Sequence, residues 1–143
     1  MRLYLEPSVL VKLFKKEPNT EKMIDVVGAI DERRDWFGCT SRWTLLEVAR
    51  ALKKDGKPKE LIELNLKELR RHKISFIDPK KMILSDAEQM LTSYNLYASD
   101  AVHVSTFRLA DRDRRLDAML TDDRHLRRFH GILKALTLDQ ISL

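Results

Sequence analysis

The chain has 143 residues, 43% hydrophobic and 34% charged, with 27 Lys and Arg against 22 Asp and Glu. That size suits one domain over residues 1–143 with a buried core, and no apolar run nears the roughly 18 residues that cross a bilayer. The net charge of +5 is compatible with a polyanionic partner without requiring one. Glu6 interrupts the N-terminal apolar run too early for a secretory leader. The lone Cys39 cannot form an internal disulfide and sits among apolar neighbours, which suggests packing in a reducing cytoplasm.

Leu3-Tyr4-Leu5 reads as a first strand, and Glu6-Pro7-Ser8 follows it at once. Proline fits a helix's first turn, where its missing N–H is not needed. Val9, Leu10, Leu13 and Phe14 continue at helical spacing, with Lys12, Lys15 and Lys16 expected to face away. Glu17-Pro18-Asn19-Thr20 ends that helix and caps the next, whose stripe is Met23, Val26, Val27 and Ile30. Trp36 to Cys39 reads as a second strand, and Ser41 as the cap of a helix through about Lys54. Gly56 and Pro58 open another helix carrying Leu61, Ile62, Leu64, Leu66 and Leu69.

Ile74 to Ile77 is a third strand, and Asp78-Pro79 is expected to cap a helix through roughly Leu91. Ser99 is expected to cap a helix carrying Ala101, Val102, Val104 and Phe107. Ala118 to Leu120, and Lys134 to Leu138, read as the last strands. Strands alternating with helices predict an α/β/α sandwich around a parallel sheet of four to five strands.

In open parallel sheets, sites form at the carboxyl ends of the strands. Glu6 follows the first strand, and Asp122 and Asp123 follow Leu120-Thr121. Asp100 lies in a helix's first turn, and Glu47 in the helix after the second strand. Each has an ordinary explanation: an acid in a first turn is favoured by the helix dipole, and Glu47 can pair with Arg50 or Lys54 along its helix.

The ordered set is more specific than any member. Met1 to Lys12 resembles the opening of PIN-domain proteins, in particular the VapC toxins, where a strand ends in an acid, a small residue and Ser. Thr40 to Val48 resembles the second motif of that family, with its acid at Glu47. Ser99-Asp100-Ala101-Val102-His103 resembles the third, with its acid at Asp100. Leu120-Thr121-Asp122-Asp123-Arg124 resembles the fourth, with its acid at Asp123 and Asp122 as an extra neighbour.

The resemblance implies a metal-dependent ribonuclease in which Glu6, Asp100 and Asp123 ligate one or two Mg²⁺ or Mn²⁺ ions. Glu47 would hold a metal-bound water or a second ion, and Ser8 and Thr121 would orient the carboxylates. Oxygen-only donors suit these ions better than zinc. It further implies an RNA substrate such as tRNA or rRNA, a small VapB-like antitoxin and a homodimer. Met23-Val26-Val27 or Leu61-Leu64 are then candidate contact faces. Arg112, Arg114 and Arg115, or Arg124, Arg127 and Arg128, are candidates for a cationic rim. The first of these stretches is interleaved with Asp111, Asp113 and Asp117, the pattern of an ordinary solvated face.

One departure stands out. The family's first acid is ordinarily Asp, and Glu6 reaches about 1.3 Å further, one bond length. Its extra methylene calls for a shifted backbone, a different ion or impaired cleavage. The alternative reading is therefore a catalytically weakened scaffold that binds RNA or protein without cutting. Other chemistries lack support. With four glycines there is no phosphate-cradling loop, and no Gly-x-Ser-x-Gly elbow occurs. His72, His103, His125 and His130 form no zinc pattern, and His103 reads as a packed or surface histidine rather than a base.

Overall fold

A computed structural model describes residues 1–129 and 133–143, which leaves His130 outside the described residues. Five parallel strands form one sheet: β1 (Arg2–Leu5), β2 (Phe37–Ser41), β3 (Ile74–Ile77), β4 (Ala118–Leu120) and β5 (Ala135–Leu136), in the order β3-β2-β1-β4-β5. Between them run α1 (Pro7–Leu10), α2 (Thr20–Glu32), α3 (Trp43–Lys54), α4 (Lys59–Leu69), α5 (Lys81–Ser93), α6 (Ala98–Arg114) and α7 (Arg124–Arg127).

Strand alternation sorts the core into two layers. Leu3, Leu5, Ala118 and Leu120 pack on one face against α1 to α4, through Leu10, Met23, Val26, Val48, Leu52 and Leu69. Tyr4, Cys39 and Met119 point the other way, against Met90 of α5 and Val104, Phe107 and Ala110 of α6. Cys39 is buried there, and desolvation pushes its thiol up to about 12, so it packs as an inert apolar group. β1 is central and pairs with both β2 and β4. Its carboxyl end therefore opens beside theirs, where Glu6 and Thr121 meet. Among the described residues no helix is long and apolar enough to cross a membrane.

Several local expectations change. Leu13 and Phe14 do not continue α1, because the chain tightens into a 3₁₀ turn over Val11–Leu13. That turn carries Lys12 inward, so it does not face away: it is 4% exposed, with Nζ 2.8 Å from Asp122 and 3.2 Å from Glu17. Burial opposes its charge, but hydrogen bonds and the charges of Asp122 and Glu17 outweigh it, and its pKa rises.

Asp78 caps nothing. It pairs with Arg42, and α5 starts at Lys81 behind an N-cap at Lys80. Tyr97, not Ser99, holds the N-cap position of α6. Met23, Val26 and Val27 are core residues and form no free contact face, whereas Leu64 of α4 is exposed. The last strand shrinks to Ala135–Leu136, because Thr137 and Gln140 form a capping box that turns the chain into a 3₁₀ helix at Leu138.

Replacing Lys12 with Met keeps the packing volume but strips two carboxylates of a buried cation. Lys12→Met is expected to lower unfolding free energy by about 1–3 kcal/mol, read as a reduced urea midpoint at pH 7. An unchanged midpoint would show that the pair is only incidental.

Candidate functional site

Glu6 takes the N-cap position of α1 and is buried. All its recorded side-chain hydrogen bonds fall on Oε2, which accepts from the Ser8 amide at 3.0 Å, the Ser8 hydroxyl and the Thr121 hydroxyl at 3.0 Å. The two hydroxyls reach onward, each accepting a backbone amide from the loop after β4. Ser8 Oγ accepts from Asp122 N at 2.9 Å, and Thr121 Oγ1 from Asp123 N at 2.9 Å. Burial pushes the Glu6 carboxyl up, opposed by the Ser8 hydroxyl, the nearby His103 imidazole and the remaining hydrogen bonds. The strand pairing runs up to the residue: Leu5 pairs with Leu120, and Glu6 N donates to Leu120 O at 3.1 Å.

Glu47 pairs with neither Arg50 nor Lys54 in the recorded contacts; its Oε1 lies 2.6 Å from Nε2 of His103. His103 is fully buried, and its Nδ1 lies 2.7 Å from the Tyr4 hydroxyl. That hydroxyl accepts from Ser41 N at 3.1 Å, and desolvation holds its pKa well above 10, so the phenol keeps its proton. The network then assigns the tautomer: Tyr4 donates to Nδ1, and Nε2–H donates to Glu47. One donor atom from each of Glu6, Glu47 and His103 lies within 4.8 Å of the others. Both ring nitrogens are engaged, so the imidazole orients Glu47 rather than offering a free ligand.

Asp100 is buried in the first turn of α6, yet it does not act as a cap. Its Oδ2 is buried with no hydrogen-bond partner among the described residues. Its carboxyl is raised to about 6, by burial first and then by the charges of Asp123, Glu6 and Glu47, with the His103 imidazole opposing. Asp100 and Asp123 both lie outside the 4.8 Å group, and Asp123 Oδ1 caps α7 by accepting from His125 N at 2.7 Å. Asp122 turns away to Lys12.

A buried carboxylate oxygen without a partner among the described residues, on a side chain that feels the charges of neighbouring carboxylates, fits a divalent cation, which would neutralise what the protein leaves unbalanced. Glu6, Glu47, Asp100 and Asp123 are the residues that could hold one.

The basic stretches separate. Arg114 stacks over Phe37 with its Cζ 5.2 Å from the ring centroid, and Asp117 accepts from Arg2 N at the start of β1. The group Arg112, Arg114 and Arg115 thus lies at the far end of α6, roughly 20 Å from Asp100 by helical rise, and is no rim of this site. Arg124, Arg127 and Arg128 belong to α7 and its C-cap, directly after Asp123.

Tyr4, His103 and Lys12 are the contributors that sequence reading missed. The Asp100–His103 spacing of three places both on one helix face, which is the one signal that could have linked the histidine to the acids. Nothing in the local pattern brings Lys12 to Asp122.

The sequence matches the PIN domain family over residues 3–132. The chain belongs to the PIN domain family. Solved PIN-fold structures align along nearly its whole length. The VapBC2 complex from Rickettsia felis, bound to a promoter DNA fragment, has a TM-score of 0.68 at 15% identity, covering 96% of this chain and 98% of that one. A toxin–antitoxin complex from Klebsiella pneumoniae has 0.63 at 19%, covering 97% and 99%. Mycobacterium tuberculosis VapC20, described as a Sarcin-Ricin loop cleaving toxin, has 0.69 at 11%, covering 92% and 97%. At these identities the likeness shows a shared fold. No protein of curated sequence matches significantly.

The raised pKa of Asp100 has a defined consequence for the metal-free protein. A carboxyl whose folded pKa exceeds its ordinary 3.8 adds stability that is complete below about pH 4 and is lost as pH rises through about 6. Metal-free protein is therefore expected to lose stability over that window, by on the order of 2–3 kcal/mol from this group. Asp100→Asn should flatten the slope and raise the thermal midpoint at pH 7.5, while Mg²⁺ should stabilise the wild type more at pH 7.5 than at pH 5. Equal Mg²⁺ stabilisation of both proteins would contradict the assignment.

Proposed function

We propose that this PIN domain is a metal-dependent endoribonuclease of the VapC kind. The observation that carries the reading is the buried Asp100 oxygen, without a partner among the described residues, on a carboxyl raised by burial and by the charges of Asp123, Glu6 and Glu47. A divalent cation, Mg²⁺ or Mn²⁺, singly or as a pair, would activate a water and steady charge building on the phosphate during in-line attack.

The chain's own residues do the rest. Ser8 and Thr121 hold Glu6 by one oxygen, leaving Oε1 for the shared centre. His103 fixes the rotamer of Glu47. Lys12 neutralises Asp122 and keeps it from adding to the repulsion. Arg124, Arg127 and Arg128 supply positive charge beside the acids for an RNA backbone. The solved relatives include toxin–antitoxin complexes and one toxin described as cutting the Sarcin-Ricin loop. They support a structured cellular RNA, tRNA or rRNA, as substrate and a small VapB-like antitoxin as partner. A homodimer and a cytoplasmic location belong to the same reading.

The rival is a scaffold that binds RNA without cutting, and Glu6 in place of Asp is what speaks for it. Cleavage of RNA is expected with Mg²⁺ or Mn²⁺, to stop with chelator, and to fall at least roughly 100-fold in Asp100→Asn, the loss of several kcal/mol of transition-state stabilisation. RNA binding that is indifferent to metal, with no cleavage by the wild type, would establish the scaffold instead.

A further inference from the structure

Beside Asp100 lies a cavity of about 160 Å³ lined by Asn95, Leu96, Tyr97, Asp100 and His125. Its two aromatic walls come from the two segments that carry the outer acids. Tyr97 is the N-cap residue of α6, three positions before Asp100. His125 lies in α7, two positions after Asp123. The rings meet edge to face, with centroids 6.0 Å apart at 89°, an arrangement that uses one edge and one face and leaves the other faces open. Tyr97 is nonetheless 69% exposed. Its backbone carbonyl is occupied by the Ala101 amide at 3.0 Å, so the helix start is satisfied without the side chain.

We propose that this cavity is a nucleobase subsite, in which one unpaired base of a single-stranded RNA stacks on Tyr97 and meets His125 edge to face while its phosphate faces the acids. The proposal rests on the ribonuclease reading and deepens it by naming what the enzyme grips next to the cut.

Scale, chemistry and charge all favour a base. An apolar cavity of roughly 150 Å³ holds a benzene ring, so this space is of the size that takes the six-membered ring of a purine or pyrimidine. Leu96 gives it an apolar wall, and the Asn95 amide offers both a donor and an acceptor to a base edge. Arg124 and Arg128, exposed at the two ends of α7, bring positive charge to the same wall, which suits a phosphate backbone. A base already stacked and paired in a duplex cannot enter, so the subsite selects loops, bulges and unpaired ends. Stacking tolerates any base, so the selectivity is for strandedness before sequence.

Other features carry less. The apolar groove beside Trp43, Leu46 and Pro79 is larger, but nothing near it identifies an occupant. The small cavity between α5 and α6 near Met82 and Arg112 is remote from the acids.

The test uses a short single-stranded oligoribonucleotide that the wild type cleaves, carrying 2-aminopurine at one position at a time, a base whose fluorescence is quenched by stacking. Wild type and Tyr97→Phe should quench it at one or two adjacent positions. Tyr97→Ala should abolish that quench and raise KM roughly 5- to 150-fold. Its thermal midpoint and its stabilisation by Mn²⁺ should not move, because the side chain is exposed and holds no metal. Tyr97→Ala that cleaves with an unchanged KM, or that loses affinity equally for a fully paired duplex, would overturn the subsite and leave the ribonuclease reading standing. A wild type that neither binds nor cuts RNA would overturn both.

Discussion

One buried oxygen, Oε2 of Glu6, holds the functional edge of this molecule together. It ends the central strand, caps α1 through the Ser8 amide, and takes the hydroxyls of Ser8 and Thr121. Those hydroxyls in turn hold the amides of Asp122 and Asp123. The crossover after β1 and the loop after β4 are thus tied at one point, 115 residues apart along the chain. A charge in that position can be kept only because polar hydrogens surround one of its oxygens.

Acids gathered at one edge repel, and the fold answers that repulsion unevenly. Asp122 is neutralised by Lys12, and Glu47 is held by the imidazole of His103, itself fixed by Tyr4. Asp123 spends an oxygen on a helix cap. Among the described residues Asp100 receives nothing equivalent, and its buried Oδ2 has no partner there. A core polar group without a partner destabilises a protein unless something outside the chain completes it. That imbalance is the physical basis for reading the cluster as a cation site, independently of any family likeness.

Much of the architecture is legible in the sequence because period and punctuation agree. The strands at Leu3, Ile74 and Ala118 are short apolar runs bounded by breakers, and the helices between them carry regular stripes. The positions of three acids are marked as well, since Glu6 and Asp123 come just after strands and Asp100 opens a helix, whereas Glu47 lies inside α3 and only the family resemblance singles it out. What escapes is whatever depends on contacts across the chain. Lys12 reads as solvent-facing by helical spacing, and only the tightening at Val11 turns it inward. His103 reads as a packed histidine, and it is one, but its value lies in Glu47, 56 residues away. Asp78 has the profile of a cap, yet the Arg42 guanidinium claims it. The Met23-Val26-Val27 stripe looks the same whether it faces a partner or the core, because periodicity shows that a face is apolar and not what covers it.

The most direct measurement is a crystal structure of the protein soaked in Mn²⁺, with the ion located by its anomalous scattering. The account requires a peak within about 2.5 Å of a carboxylate oxygen from both Glu6 and Asp100. Glu47 should still be hydrogen-bonded to His103 there. A fully occupied manganese elsewhere, with Asp100 Oδ2 still bare or joined to a protein donor, would contradict it.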